Sequence, residues 1–400
     1  CAVRIGGGSM IAFADIRDAL TPKQSPQLYD VPLLYCMLML IGVGFVMVTS
    51  ASMPTAERLF DNPYHIIIRH GMFLIMGFFL FWIATNVPMD WWKRSNAYLL
   101  LLGLGLLVLV LIVGREVNGA KRWIPIGPVG FQVAEAAKLY FFSYIAGYLV
   151  RKREEVQENL KGFFKPLAVF GVYAFLILMQ PDLGTVVVLF VTTVGLLFLA
   201  GAKLWQFFGL ILTGIAAVVV LIIAEPYRMA RVTGFLEPWE DPFGKGYQLV
   251  QSLMAYSQGG WFGQGLGNSV QKLQYLPEAH NDFIFAVIGE ELGFFGVLSI
   301  LIVLAVFVFR ALLIGQKALK CGKEYEGYFA FAIGIWFAFQ TMVNVGASAG
   351  ILPTKGLTLP FISYGGSSLL IMTIATGVLL RIDFETKMAT KQATSRGGKR

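Results

Sequence analysis

The stretch Leu276-Pro277-Glu278-Ala279-His280-Asn281-Asp282-Phe283, running straight into Ile284-Phe285-Ala286-Val287-Ile288-Gly289, sets the character of the whole chain. In it a polar, proline-containing loop turns into an apolar run that lasts to Phe309, broken only by the acids Glu290 and Glu291. A bilayer core is crossed by roughly 20 mostly apolar helical residues, so this run reads as a membrane span with Asp282 at its mouth. A carboxylate there faces water on one side and low dielectric on the other. Its pKa can rise, and it becomes a candidate proton acceptor. Aspartate also caps helices by accepting a backbone N–H, and the two roles are compatible.

Working outward, hydrophobic residues make up 56% of the 400 residues and charged ones only 14%, with a mean hydropathy of +0.68. Ten segments are long and apolar enough to span: 31–51, 66–87, 97–114, 131–150, 167–180, 183–200, 204–224, 283–309, 328–350 and 359–380. The expected fold is therefore an all-α integral membrane protein of about ten helices. Barrel strands are excluded, because the runs are too long and do not alternate. Pro166 is expected in the first turn of the fifth span, where its missing N–H does no harm. Lys and Arg concentrate in alternate loops, among them Lys93 and Arg94, Arg151 to Arg153, and Arg310 to Lys323. By the positive-inside rule both termini are cytoplasmic and the long 225–281 loop lies outside, in the periplasm. The domain reading is a cytoplasmic segment 1–30, one membrane domain 31–383 and a cytoplasmic tail 384–400, polar and without expected structure after Lys387.

The net charge of +8 is mostly this positive-inside signal. No soluble basic face interleaved with stacking aromatics accompanies it, so nucleic acid is not an expected partner. Cys1, Cys36 and Cys321 offer no outer-side pair, hence no disulfide framework. No cleavable signal peptide is expected, and the Gly-rich Cys1 to Ser9 reads as an upstream extension before a start at Met10.

Polar groups gather in a few outer segments. Asn118-Gly119-Ala120-Lys121-Arg122-Trp123-Ile124-Pro125 places bases beside an aromatic, either as an interfacial anchor or toward substrate. Glu135 and Lys138 lie within a span at i, i+3 and can pair on one helix face, as a structural ion pair or as a polar lining. In Gln180-Pro181-Asp182-Leu183-Gly184-Thr185 the aspartate reads as a helix cap. The long outer loop carries Arg231 and a plausible amphipathic surface helix near 249–256. Its glycines lack the lysine and Ser/Thr order of a phosphate loop. The run 352–368, with Pro353, Lys355 and Pro360, reads as a re-entrant or broken helix, tolerated only against protein or a water-lined cavity. Lys355 held there is a point charge for phosphate.

Taken in order, Gln180–Thr185, Leu276–Asp282 and Leu352–Ser368 resemble the SEDS family (shape, elongation, division and sporulation), over about 31–383. The wording Pro353-Thr354-Lys355-Gly356-Leu357-Thr358-Leu359-Pro360 is similar to the cell-division branch of Gram-negative bacteria rather than to the elongation branch. The resemblance implies a peptidoglycan glycosyltransferase that polymerises lipid II into glycan strands at the outer face of the inner membrane, at the division septum. It implies Asp282 as the catalytic residue, with Glu135, Lys138 and Lys355 lining the same cavity, and a class B penicillin-binding transpeptidase and other divisome membrane proteins as partners. The chain departs from the family at Gly130, where many members carry a base, and at Val133, where many carry proline. Arg122 or Lys121 is the candidate substitute for that base.

The chemistry needs a base for the attacking sugar hydroxyl and positive charge for the departing diphosphate. Asp282 is the expected base, and Arg122, Lys138 and Lys355 the expected substrate contacts. A divalent cation, Mg2+ or Mn2+, can share the diphosphate, and no organic cofactor is expected. Two other classes stand beside this reading: a lipid II flippase, which would carry repeated halves and a complete polar path, and a non-catalytic divisome scaffold.

Overall fold

The computed structural model describes residues 29–397 apart from 118, 127, 128, 274, 354 and 355. Cys1, the Gly-rich start, Met10 and most of the 1–30 segment fall outside the described residues. Helices α1 (Val31–Phe60), α2 (His65–Asn86) and α3 (Met89–Val113) lead into a small sheet, β1 (Arg115–Val117), β2 (Ala120–Ile126) and β3 (Val129–Gln132). Helices α4 (Val133–Arg151), α5 (Arg153–Glu158), α6 (Leu160–Leu178), α7 (Leu183–Leu199), α8 (Leu204–Ile223), α9 (Pro226–Leu236) and α10 (Tyr247–Gly259) follow. The chain ends with α11 (Ile284–Lys320), α12 (Glu324–Ser348) and α13 (Gly366–Gly397).

Each expected span coincides with one of these helices. Among the described residues seven are long and apolar enough to cross a membrane: α1, α2, α3, α8, α11, α12 and α13. The apolar α6 and α7 are shorter, and α4 carries Glu135 and Lys138 within an otherwise apolar stretch. Helix α12 is central, with Trp336, Phe337 and Phe329 fully buried and α4, α7, α11 and α13 packed around it. Helix α8 buries only Gln206 and leaves its apolar side chains exposed or half-buried. Asp30 caps α1 by accepting from Leu33 N at 3.0 Å, and its carboxylate also pairs with Arg310 of α11.

Several expectations need correction. The fourth span starts at Val133, because Phe131 and Gln132 pair with Ile124 and Trp123 in an antiparallel β1-β2-β3 meander. Pro166 lies well inside α6, which begins at Leu160. Proline there cannot donate to the carbonyl four residues back, and the Tyr148 hydroxyl donates to that Gly162 carbonyl at 2.8 Å instead. The tail is not structureless, since α13 continues to Gly397. The last span begins at Gly366 and its preceding segment is irregular rather than a broken helix. Helix α10 does form, but it buries Leu249, Val250 and Ala255 against the bundle, and Ser252 donates to Ser348 O at 2.6 Å.

Helix α11 is interrupted at Gly293, whose φ of 67° belongs to the left-handed region. The break frees carbonyls before it and N–H groups after it, and the long loop before α11 takes up both. Gln264 N and Gly265 N donate to Glu290 O and Glu291 O at 2.9 and 3.0 Å, while Phe294 N donates to Gly260 O at 2.9 Å. The short segment 284–292 is thereby fixed to the long loop before α11 and aims Asp282.

Candidate active site

A cavity of about 1060 Å³ opens at one end of the bundle, between the sheet, the start of α7, α9 and the loops before α11 and α13. Asp282 faces it. Around it stand the arginines Arg69, Arg115, Arg122, Arg228 and Arg231, against the carboxylates of Asp182, Glu278 and Asp282.

The loops before α11 and α13 are stitched together so that Asp282 is held rather than free to wander. Asn344 of α12 donates to Asp282 O at 3.0 Å and to Leu357 O at 2.7 Å. Ser363 Oγ donates to Asn281 O at 2.7 Å, and Tyr364 N to His280 O at 2.9 Å. Gly356, at φ 65°, lies so close that a Cβ there would stand 3.3 Å from Asp282 Oδ2.

The Asp282 carboxylate is half-buried, and no hydrogen bond engages it among the described residues. Helix α11 takes Phe283 as its N-cap, without a side-chain cap, so the capping role read for Asp282 is not the one it plays. Burial raises its pKa to about 6, and the nearby Glu278 charge adds to the rise, while Arg231 and Arg122 oppose it. A carboxylate raised this far is a stronger base that remains largely ionised at neutral pH. By contrast Asp182 is a true cap, accepting from Thr185 N at 3.1 Å and from Thr185 Oγ1 at 2.8 Å.

The other expected site residues divide. Arg122 lines the cavity with its guanidinium anchored, Nε donating to Gln180 O at 2.8 Å and Nη2 to Pro181 O at 2.6 Å. Glu135 and Lys138 do not line it. They form a buried ion pair at 3.0 Å, and the Lys138 ammonium also donates to Gln340 Oε1 at 3.2 Å and stands 4.8 Å from the Trp336 ring centre. Gln340 in turn donates to Thr358 O at 2.9 Å, so the pair reaches the cavity loop through Gln340. Lys355 lies outside the described residues, while its neighbours Pro353, Gly356 and Leu357 line the cavity.

Sequence reasoning gave no role to four of the five arginines. Arg115 and Arg231 are exposed on the cavity wall, and Arg228 is buried with Nη1 on Leu221 O at 2.9 Å. It also passed over the acceptor oxygens of Asn281 and Asn344, which have no partner among the described residues and face the cavity. The acids Glu290 and Glu291 are anchors: Glu290 accepts from Ser269 Oγ at 2.5 Å, and Glu291 pairs with Lys272 at 2.7 Å. Among the described residues no cluster of three His, Cys, Asp or Glu side chains could hold a metal.

The model of the FtsW/RodA/SpoVE family, described as cell cycle protein, matches residues 31–388. The chain belongs to this family. It is 82% identical over 395 residues to the probable peptidoglycan glycosyltransferase FtsW of Pseudoalteromonas translucida, covering 99% of both chains. Against the protein of the same name from Escherichia coli O157:H7 the identity is 59% over 372 residues, 93% of this chain and 90% of that one. Among solved structures, a chain described under structural coordination of polymerization and crosslinking by a peptidoglycan synthase complex superposes with a TM-score of 0.72 at 27% identity, covering 90% of this chain and 98% of that. The rod shape determining protein RodA of Thermus thermophilus gives 0.66 at 26%, with coverage of 90% and 98%. Gly130, where the resemblance leads one to expect a base, falls on the cavity wall. A Cβ there would stand 3.3 Å from Trp123, so the indole occupies room that a side chain at 130 would need.

Proposed function

We propose that the chain polymerises lipid II into glycan strands at the outer face of the inner membrane during septal wall synthesis. It is a peptidoglycan glycosyltransferase and a multi-pass membrane protein, as its relatives' names and its apolar helices support. The observation that carries the mechanism is a carboxylate without hydrogen-bond partners among the described residues, at pKa about 6, on an arginine-lined cavity. In the proposed step Asp282 takes the proton of a sugar hydroxyl as its oxygen attacks the donor's anomeric carbon. The carbon–oxygen bond to the diphosphate breaks, and polyprenyl diphosphate leaves with the electron pair. Because this leaving group is already a stable anion, it needs positive charge rather than a strong general acid. Arg122 and Arg231 support that role, and Lys355 is proposed to join them from the loop beside Gly356. Asn281 and Asn344 offer acceptors to sugar hydroxyls.

Glu135 and Lys138 are proposed to act at a distance, by fixing Gln340 and through it Thr358. A divalent cation belongs to the proposal as the companion of the substrate diphosphate. Mg2+ keeps several waters and is held largely by substrate phosphates, which leaves Asp282 free to act as the base. The proposed crosslinking partner is a class B penicillin-binding transpeptidase, supported by a structural neighbour whose description joins polymerization to crosslinking in one complex.

The test is polymerisation of supplied lipid II by the purified full-length chain together with that partner, with a lipid scrambling assay beside it. Glycan strands without scrambling are expected. Scrambling without strands would turn the reading to a flippase, and neither activity would turn it to a scaffold.

A further inference from the structure

Beside the arginine-lined cavity lies a second chamber of about 460 Å³, between the end of α1, the start of α2 and the loop before α11. That loop is the wall between the two. Asn281, Asp282 and Phe283 face the larger cavity, Leu276 and His280 face the smaller, and Pro277 and Glu278 line both. Arg69 also lines both. Glu278 holds its shared position at a backbone φ of 54°, a left-handed conformation that is uncommon for a residue of this kind and marks sites under constraint.

The smaller chamber suits an anion that is also a lipid. Arg58, His65 and Arg69 line one part of it. His280, at 8% exposure, has a buried Nδ1 without a partner among the described residues, and the same holds for His65 Nε2. Tyr364 lies against the His280 ring with centres 5.6 Å apart, offering the flat face on which sugars rest. At the mouth, Leu59 and Phe60 are exposed apolar residues, and in a bilayer they meet acyl chains. A diphosphate, a saccharide and a hydrocarbon chain leaving sideways between α1 and α2 each find matching surface.

We infer that this smaller chamber is the acceptor subsite, seating the lipid-linked saccharide whose hydroxyl attacks, while the arginine-lined cavity seats the donor whose diphosphate leaves. The inference rests on the glycosyltransferase reading above. Both substrates of such a reaction are polyprenyl diphosphate saccharides, so two like-charged headgroups must approach one carboxylate without sharing a site. Glu278 at the common rim repels a diphosphate but accepts hydrogen bonds from hydroxyls. Neutral sugar therefore crosses the rim toward Asp282, and charge stays behind. The acceptor oxygen bonds to the donor's anomeric carbon, its proton passes to Asp282, and the donor's polyprenyl diphosphate departs with the bonding pair.

Two substrate analogues separate the chambers. Lipid II with its acceptor hydroxyl blocked serves only as donor. Lipid II with a methylene in place of the anomeric oxygen cannot lose its diphosphate and serves only as acceptor. Their single coupling is followed with the full-length chain and its partner, with thermal stability recorded for every variant. Arg58→Gln and His65→Gln are each expected to raise the KM for the acceptor analogue about tenfold or more, leaving the donor KM within about twofold. Arg231→Gln is expected to do the reverse. Thr55→Phe, which narrows the chamber without removing a cation, should give the same split as Arg58→Gln and serves if the charge variants unfold. A raised donor KM, equal changes in both, or no change in a folded variant would overturn the assignment. Failure of the wild-type chain to polymerise unmodified lipid II would instead remove the glycosyltransferase reading beneath it.

Discussion

Asp282 and Lys138 are both charged groups drawn into protein at the edge of a membrane, yet they are held in opposite ways. Lys138 is fully enclosed and satisfied, with Glu135 at 3.0 Å, Gln340 at 3.2 Å and the Trp336 ring beneath it. Asp282 opens on the cavity with its backbone pinned by Asn344 and its carboxylate left without a hydrogen-bonding partner among the described residues. A satisfied charge stabilises and positions. An unsatisfied one, fixed from behind, is ready to take up something that arrives. The partners of a buried charge thus separate structural from chemical roles better than its presence in an apolar segment does.

The sharpest way to break this contrast is Asp282→Asn. Loss of the base is expected to reduce polymerisation by about a hundredfold to ten thousandfold. Stability should move the other way. Because the folded pKa, about 6, lies above the ordinary value near 4, the folded state binds more protons than the unfolded state between those limits. Stability is therefore lost as pH rises through that window. Asparagine removes the ionisation and should stabilise the protein at pH 7 by on the order of 1 kcal/mol, after allowance for the carboxylate's opening to solvent. Activity should fall about tenfold between pH 7 and pH 5 as the base is protonated. Substantial glycan synthesis by folded Asp282→Asn protein would remove it from the mechanism.

For Lys138 the expected loss is of fold before chemistry. Lys138→Met leaves Glu135 buried without its partner, which costs about 3–5 kcal/mol. The double change Glu135→Gln with Lys138→Met should recover most of that stability, measured by thermal unfolding in detergent. It should also recover part of the activity, since both act through Gln340. A double variant as stable as wild type but wholly inactive would instead place this pair on the substrate.

Arg231→Gln tests the cavity's electrostatics with a smaller effect. Arg231 holds the Asp282 pKa down, so its removal should shift the acid limb of the pH–rate profile to higher pH. A lower rate with an unmoved limb would confine Arg231 to substrate binding.

The helices at the apolar segments and the place of Asp282 were legible because both are written in local order: long apolar runs, and an acid at the start of one. The cavity was not. Arg69 sits in the first turns of an apolar helix, Arg115 begins a strand and Arg231 lies in a helix of the long loop. Only the tertiary fold brings these separate stretches to one wall. The meander of 115–132 escaped because its strands are short and carry Pro125 and Gly130, which mask a period of two. Glu135 and Lys138 were recognised as a pair from their spacing, but which way their shared helix face turns depends on Gln340 and Trp336, about 200 residues away.

The smallest expected effect sharpens the contrast most finely. Gly356 and Gly322 both hold left-handed backbone, at φ 65° and 75°, where an alanine costs roughly 1–2 kcal/mol. Gly322 lies in the turn between α11 and α12, with open space where a methyl would project, whereas at Gly356 the methyl would stand 3.3 Å from Asp282 Oδ2. Both alanine variants should therefore lose a similar, modest amount of stability. Only Gly356→Ala should also slow polymerisation, by a fewfold to about tenfold, because an apolar group pressed on the carboxylate strips its hydration and raises its pKa further. The acid limb should move to higher pH in Gly356→Ala and stay in place in Gly322→Ala. If the two variants lose stability and rate in equal proportion, the segment around Gly356 supports the fold without shaping the base. Asp282 would then owe its raised pKa to the rest of its surroundings, Glu278 among them.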